Sequence, residues 1–309
     1  MLHPLKEKII KIINKRLLRT PGVETLKKNF NSEKNKKSHL YFWLKRSKKN
    51  PSFKKFFFEE NKIGEIFSQD ISNYTFDTKG NFFITEKMLD SLKKFGLLVV
   101  RNALPQQEKN NVIEHFLELK NKKNTKSWVG DIVNDIRDES EIQRGYIDIT
   151  QFEYLNKYSN QATKNIYNKI VKPNTELHYL KLKKILEEKP LRGETLLHSD
   201  RFLPHFKMFY SPFKLEKCDA PLEYALGSHK INENYINFFL KSKYFDETDE
   251  SSLELIKKKV VVTTDENTLY IAFTNGLHKR SAFTKANSER FMMFFQYVER
   301  FNKFNYLFN

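Results

Sequence analysis

The chain has 309 residues, enough to bury a substantial core in one large domain or two modest ones. Hydrophobic content of 39% with 14% aromatics excludes a disordered chain, because that much apolar surface offsets the entropy lost on folding. The formal charge of +17 invites an anionic partner, yet residues 1–50 hold 15 Lys and Arg against 3 acidic residues, a net of +12, so the body of the protein is nearly balanced.

Leu2, Leu5, Ile9, Ile12, Ile13 and Leu17 recur at helical spacing with lysines and arginines between them, the pattern of an amphipathic cationic helix that Pro21-Gly22 ends. Such a helix can lie on an anionic membrane surface, giving residues 1–20 a peripheral membrane contact, or dock on its own domain or a partner. Residues 27–55 continue as a Lys/Asn/Ser stretch around Tyr41-Phe42-Trp43-Leu44, so residues 1–60 read as a basic N-terminal extension and 61–309 as the folded domain. Basic residues beside Phe56, Phe57 and Phe58 could hold single strands by charge and stacking. The absence of any recognisable nucleic-acid motif favours core aromatics beside solvated lysines, and argues against a nucleic-acid partner.

Tyr74–Ile84 alternates around Gly80 as a hairpin does. Thr85 caps a helix through Phe95 with Gly96 at its end, Leu97–Val100 form a buried strand, and Pro105 opens a helix through Lys120. Trp128–Thr150 is loop-rich with a short strand at Tyr146–Ile149, and 151–170 is helical. After Pro173 the period becomes that of strands, at 175–183, 191–198, 205–211, 221–226, 258–264, 268–273, 277–283 and 290–298, with a helical insert at 232–256. Many short strands without an internal repeat predict a mainly β protein with flanking helices, a double-sheet jelly roll. Cys218 is the only cysteine, which excludes an intramolecular disulfide and fits a reducing cytoplasm. No run approaches the roughly 18 to 20 apolar residues of a membrane span, and the lysine-broken N-terminus does not read as a secretory signal.

The chemistry centres on His198-Ser199-Asp200. Two residues apart in a strand-like context, His198 and Asp200 leave one face together and can share an ion. Alone, the pair reads better as a hydrogen-bonded core histidine than as a ligand. A second histidine, His278 after Gly276-Leu277, would complete two imidazoles and a carboxylate, the facial triad of non-haem Fe(II) oxygenases. Arg290, twelve residues on, offers a planar fork for a carboxylate.

Together with Ala220-Pro221-Leu222-Glu223-Tyr224-Ala225-Leu226-Gly227-Ser228-His229-Lys230 and the strand Leu97–Leu104, these residues resemble the phytanoyl-CoA dioxygenase family of Fe(II)- and 2-oxoglutarate-dependent oxygenases over about residues 85–300. The resemblance implies a double-stranded β-helix in which His198, Asp200 and His278 bind Fe(II) and Arg290 pairs with the distal carboxylate of 2-oxoglutarate. Ser281 and Lys207 would make further cosubstrate contacts, and O2 would be the oxidant. Ala220 stands where the family has glycine, and His229 belongs to a structural corner, with His205 a decoy of the same kind. Asp200 argues against the halogenase variant, so hydroxylation of a small molecule, lipid or sugar with release of succinate and CO2 is the expectation. Arg137, Arg144 and Tyr146 could meet an anionic substrate or be ordinary surface residues. Two other readings are a non-catalytic jelly roll that binds an anionic membrane or polymer through its basic N-terminus, and a cupin-like metalloenzyme without 2-oxoglutarate. Oligomeric state is not encoded in any motif.

Overall fold

A computed structural model describes residues 74–79, 83–121, 133–137, 140–167, 175–185, 195–200, 206–230, 259–281 and 289–298. By contacts the chain divides into Met1–Lys49 and Asn50–Asn309, and the described residues all belong to the second unit. The expected N-terminal helix, the aromatic islands before residue 60, the insert at 232–256 and His205 lie outside the described residues. Within them no helix is long and apolar enough to cross a membrane.

The chain order is β1 (Thr75–Asp77), α1 (Glu86–Phe95), β2 (Leu97–Arg101), α2 (Gln106–Lys120), β3 (Val133–Arg137), β4 (Ser140–Tyr146), α3 (Glu153–Tyr167), β5 (Thr175–Ile185), β6 (Phe206–Ser211), β7 (Leu222–Ala225), β8 (Lys259–Val262), β9 (Thr268–Phe273), β10 (His278–Arg280) and β11 (Glu289–Val298). Two sheets form. The larger runs β1-β2-β9-β6-β11-β5-β4-β3 and the smaller β10-β7-β8. A bridge between His198 and His278 adds the 195–200 segment to the free side of β10.

From β5 onward the chain therefore passes from one sheet to the other and back, with β7 and β8 as one hairpin, and this strand order is that of a double-stranded β-helix, or jelly roll. Its core lies between the sheets. Phe209, Tyr270, Ala272, Met292 and Phe294 of the large sheet meet Leu222, Tyr224, Val260 and Val262 of the small one. Alternation along each strand dictates this, since every second residue faces the partner sheet. Phe209 stacks on Tyr270 with centroids 4.7 Å apart and meets Phe294 edge-on at 5.0 Å. On the opposite face of β11, Phe291 meets Phe116 of α2 at 5.4 Å, so α2 covers the outside of the barrel.

The N-terminal helix signals act as read. The Thr85 side chain accepts from the Met88 amide, and Gly96 ends α1 in the left-handed region at φ 77°. A second constraint holds Gly96: a Cβ there would stand 2.4 Å from both His229 Nδ1 and the Tyr224 hydroxyl. α2 runs from Pro105 as expected, and its Glu108 carboxylate accepts from the amides of Tyr154 and Leu155, capping α3 from another helix.

Four expectations are corrected. Tyr74–Ile84 is not a hairpin, because β1 pairs in parallel with β2, from Thr75 opposite Val99 to Asp77 opposite Arg101, and residues 83–85 hold no strand. The region read as loop before residue 146 contains the hairpin β3–β4, which extends the large sheet beyond β5. Of the strand expected at 146–149, Tyr146 ends β4 and Ile147 makes a bridge, but Ile149 already belongs to a turn of 3-10 helix, Ile149–Gln151, opened by the Asp148 side chain accepting from the Thr150 amide. The strand expected at 191–198 is reduced, within the described residues, to the single bridge at His198.

Candidate metal centre

His198 and His278 face each other across an antiparallel bridge, each amide donating to the other's carbonyl at 2.9 Å. One register step on, the Asp200 amide donates to the Thr274 carbonyl, also at 2.9 Å. The Ser199 hydroxyl points the other way and donates to the Asn275 carbonyl at 3.0 Å. The backbone thus sends His198 and Asp200 to one side, as their spacing predicts, and places His278 beside them. His278 is opposite Tyr224 in the β10–β7 ladder, and Tyr224 belongs to the inter-sheet core, so this side is the interior of the barrel.

The three side chains converge. One ligand atom from each lies within 4.8 Å of the others. His198 Nε2 is 3.9 Å from Asp200 Oδ1, His278 Nε2 is 3.6 Å from Asp200 Oδ2, and the imidazole centroids are 4.7 Å apart. Both histidines are buried and Asp200 is half-buried.

The outward nitrogens are committed. His198 Nδ1 lies 2.6 Å from the Leu196 carbonyl and His278 Nδ1 lies 2.9 Å from that of Gly276. A carbonyl only accepts, so each Nδ1 carries the proton and donates, which leaves the Nε2 lone pair of each ring facing the carboxylate. Burial pushes the His278 pKa down to about 4, against the pull of Asp200, so its imidazole is neutral at ordinary pH. Two imidazoles, that of His278 neutral, and a carboxylate on one side of a point, with backbone partners at both rings, form a donor set that fits Fe(II).

The turn that carries His278 is held from behind. Tyr224 donates to the Phe273 carbonyl, and the Ser228 hydroxyl donates to the Ala225 carbonyl while accepting from the Leu277 amide at 2.7 Å. Asn275 Nδ2 donates to the His229 carbonyl. The His229 ring stacks on Phe273 at 5.2 Å and its Nε2 lies 3.1 Å from the Lys93 carbonyl. His229 is thus a packed corner residue, in keeping with its place in Gly227-Ser-His-Lys230. Gly276 permits the close approach, since a Cβ there would stand 2.4 Å from the Tyr224 hydroxyl. None of this support is readable as a motif except the Gly-Ser-His-Lys corner.

The other expected residues fall in different places. Arg290 shares the inner face of β11 with Met292 and Phe294 and donates to the Ala220 carbonyl. Its charge draws down the Tyr270 phenol, which burial has pushed up to about 12. Lys207 is paired within the site, its ammonium 2.7 Å from Asp200 Oδ2. Ser281 turns away from the triad, its hydroxyl donating to Glu223 at 2.8 Å. Glu223 alternates with the inward Leu222 and Tyr224 and bonds Lys259, so Ser281 sits on the outer face of the small sheet. Arg144 and Tyr146 are half-buried on β4, which together with Arg137 on β3 places them on sheet strands and not in a loop.

Fold and cluster together define a jelly-roll protein with an interior two-histidine, one-carboxylate site. No family profile and no curated protein matches the chain. Among solved structures it is similar to the epimerase SnoN in complex with Fe3+, alpha-ketoglutarate and nogalamycin RO, at 10% identity over 67% of this chain and 80% of that one, with a TM-score of 0.43. It is also similar to HygX from Streptomyces hygroscopicus with nickel and 2-oxoglutarate bound, at 14% identity over 71% and 89%, TM-score 0.39. A Pseudomonas putida prolyl-4-hydroxylase aligns at 13% identity over 69% and 97%, TM-score 0.42.

Proposed function

We propose that this protein is an Fe(II)- and 2-oxoglutarate-dependent oxygenase of the phytanoyl-CoA dioxygenase kind, acting on a small molecule, a lipid or a sugar. The observation that carries the reading is the convergence of His198 Nε2, His278 Nε2 and the Asp200 carboxylate inside the barrel, with both Nδ1 atoms tied to backbone carbonyls. These three residues would hold the metal on one side and leave its other side open. Bound iron would supply, with 2-oxoglutarate and O2, the oxidising chemistry that yields succinate and CO2.

The chain's own part is placement. Arg290 keeps further N–H donors beyond the one given to Ala220, and its inner-face position suits the distal carboxylate of the 2-oxo diacid. Phe209, Tyr270, Met292 and Phe294 wall the interior and keep water from the reacting end. Asp200 supplies a carboxylate ligand, which favours hydroxylation or another oxygen-dependent oxidation over halogenation. Ser281 is left out of the cosubstrate contacts because Glu223 holds its hydroxyl.

Arg290→Ala separates this reading from a metalloenzyme that works without 2-oxoglutarate. The variant is expected to bind Mn(II) as the parent does and to lose at least about tenfold in 2-oxoglutarate affinity, the worth of one charge-assisted carboxylate pair. Equal affinity for 2-oxoglutarate in both proteins would contradict the assignment.

A further inference from the structure

Lys207 is out of place for a jelly-roll interior. It shares the inner face of β6 with Phe209, among aromatic and aliphatic side chains, and its side chain is only 16% exposed. A cation in such surroundings needs a compensating anion within reach. Asp200 provides one, with Lys207 Nζ 2.7 Å from Oδ2. That oxygen is also the one 3.6 Å from His278 Nε2, so it faces the position a metal would take. Opposite Lys207 on the neighbouring strands stand Ala272 and Gln296, neither of them an anion.

We propose that Lys207 holds the place of the divalent cation on Asp200, and that this makes metal binding depend on a dianionic 2-oxo acid. The proposal rests on the oxygenase reading above. With Lys207 on Asp200 the charge of that carboxylate is already offset before any metal arrives. A dication entering alone must share the carboxylate with an ammonium and leaves an excess of positive charge in a dry interior. A dianion arriving with it offsets the added positive charge and gives the ammonium a second carboxylate to pair with. The lysine therefore weakens the bare metal site and strengthens the ternary one. A lysine that merely oriented Asp200 would do the reverse to the bare site, since loss of an outer-shell partner lowers metal affinity.

The test is Mn(II) affinity of the full chain, with and without saturating 2-oxoglutarate, for the parent, Lys207→Met and Lys207→Gln, each checked for an unchanged melting temperature. Glutamine keeps a hydrogen-bond donor for Asp200 without the charge. The expected result is that both variants bind Mn(II) alone at least about tenfold more tightly than the parent, from removal of a like charge a few ångströms away. The tightening that 2-oxoglutarate gives the parent should shrink by a similar factor. If neither variant binds Mn(II) more tightly, Lys207 is an orienting support and the proposal is overturned. A parent protein that binds no Mn(II) at all overturns the oxygenase reading itself, which distinguishes the two failures.

Discussion

At the scale of single residues, the metal centre depends on what each ring does with its second nitrogen. The Leu196 and Gly276 carbonyls fix the tautomers of His198 and His278, so both lone pairs face Asp200 before any metal arrives. Removing a ligand should therefore be far worse than removing a neighbour: His198→Ala or His278→Ala is expected to weaken Mn(II) binding by more than about a hundredfold, given that outer partners alone are worth ten- to a hundredfold. Equilibrium dialysis against Mn(II) checks it. Gly276 acts indirectly. A methyl group there would stand 2.4 Å from the Tyr224 hydroxyl and 2.9 Å from Ser228 Oγ, so Gly276→Ala must displace the turn that carries His278. We expect a loss of about 1–3 kcal/mol in stability from overpacking. Adding Tyr224→Phe removes the nearest colliding atom and should return part of that loss in a double-mutant cycle by denaturant unfolding. Ala220 presents the converse case. It holds φ 53°, a region that costs an alanine about 1–2 kcal/mol and glycine almost nothing. Ala220→Gly should therefore raise stability by about 0.5–1 kcal/mol after the added entropy of the unfolded chain.

At the scale of elements, legibility followed the locality of the cause. The strands from β5 to β11 appear in the sequence because burial between two layers imposes alternation or short apolar runs, and α1 because Thr85 and Gly96 mark its ends. The β3–β4 hairpin escaped because its residues are polar and mixed, Val-Asn-Asp-Ile-Arg then Ser-Glu-Ile-Gln-Arg-Gly-Tyr, at the far edge of the sheet. The partner of β1 escaped because parallel pairing joins segments some twenty residues apart and leaves no turn signature. In the site, His198-x-Asp200 was legible from the two-residue period and His278 from its turn. Lys207 on Asp200 was not, since that contact exists only once the barrel brings β6 against the 195–200 segment. The turn before β9 shows how one residue can secure an element. Asn267 sits at φ 55°, its Oδ1 accepts from the Leu104 amide and the Tyr210 hydroxyl, and its Nδ2 donates to the Leu104 carbonyl. Asn267→Ala should cost about 2–4 kcal/mol, combining a left-handed alanine with lost hydrogen bonds. Asn267→Gly should cost less, because only the hydrogen bonds go; equal losses would mean that backbone conformation matters little there.

At the scale of the molecule, the jelly roll does two things for the proposed chemistry. Its chain path carries the two ligand-bearing segments, separated by almost eighty residues, to neighbouring positions in one sheet, and its closed interior supplies an apolar wall around them. Most of the formal charge lies in residues 1–50, so the strongly basic pI of about 9.5 describes that region and not the barrel. The central claim is that the barrel holds Fe(II) and 2-oxoglutarate together, and anaerobic titration of the purified protein with both tests it most directly. The account predicts a weak visible metal-to-ligand charge-transfer band that saturates with 2-oxoglutarate only when Fe(II) is present and is absent in His198→Ala. A wild-type protein that retains neither Fe(II) nor 2-oxoglutarate under those conditions would contradict it.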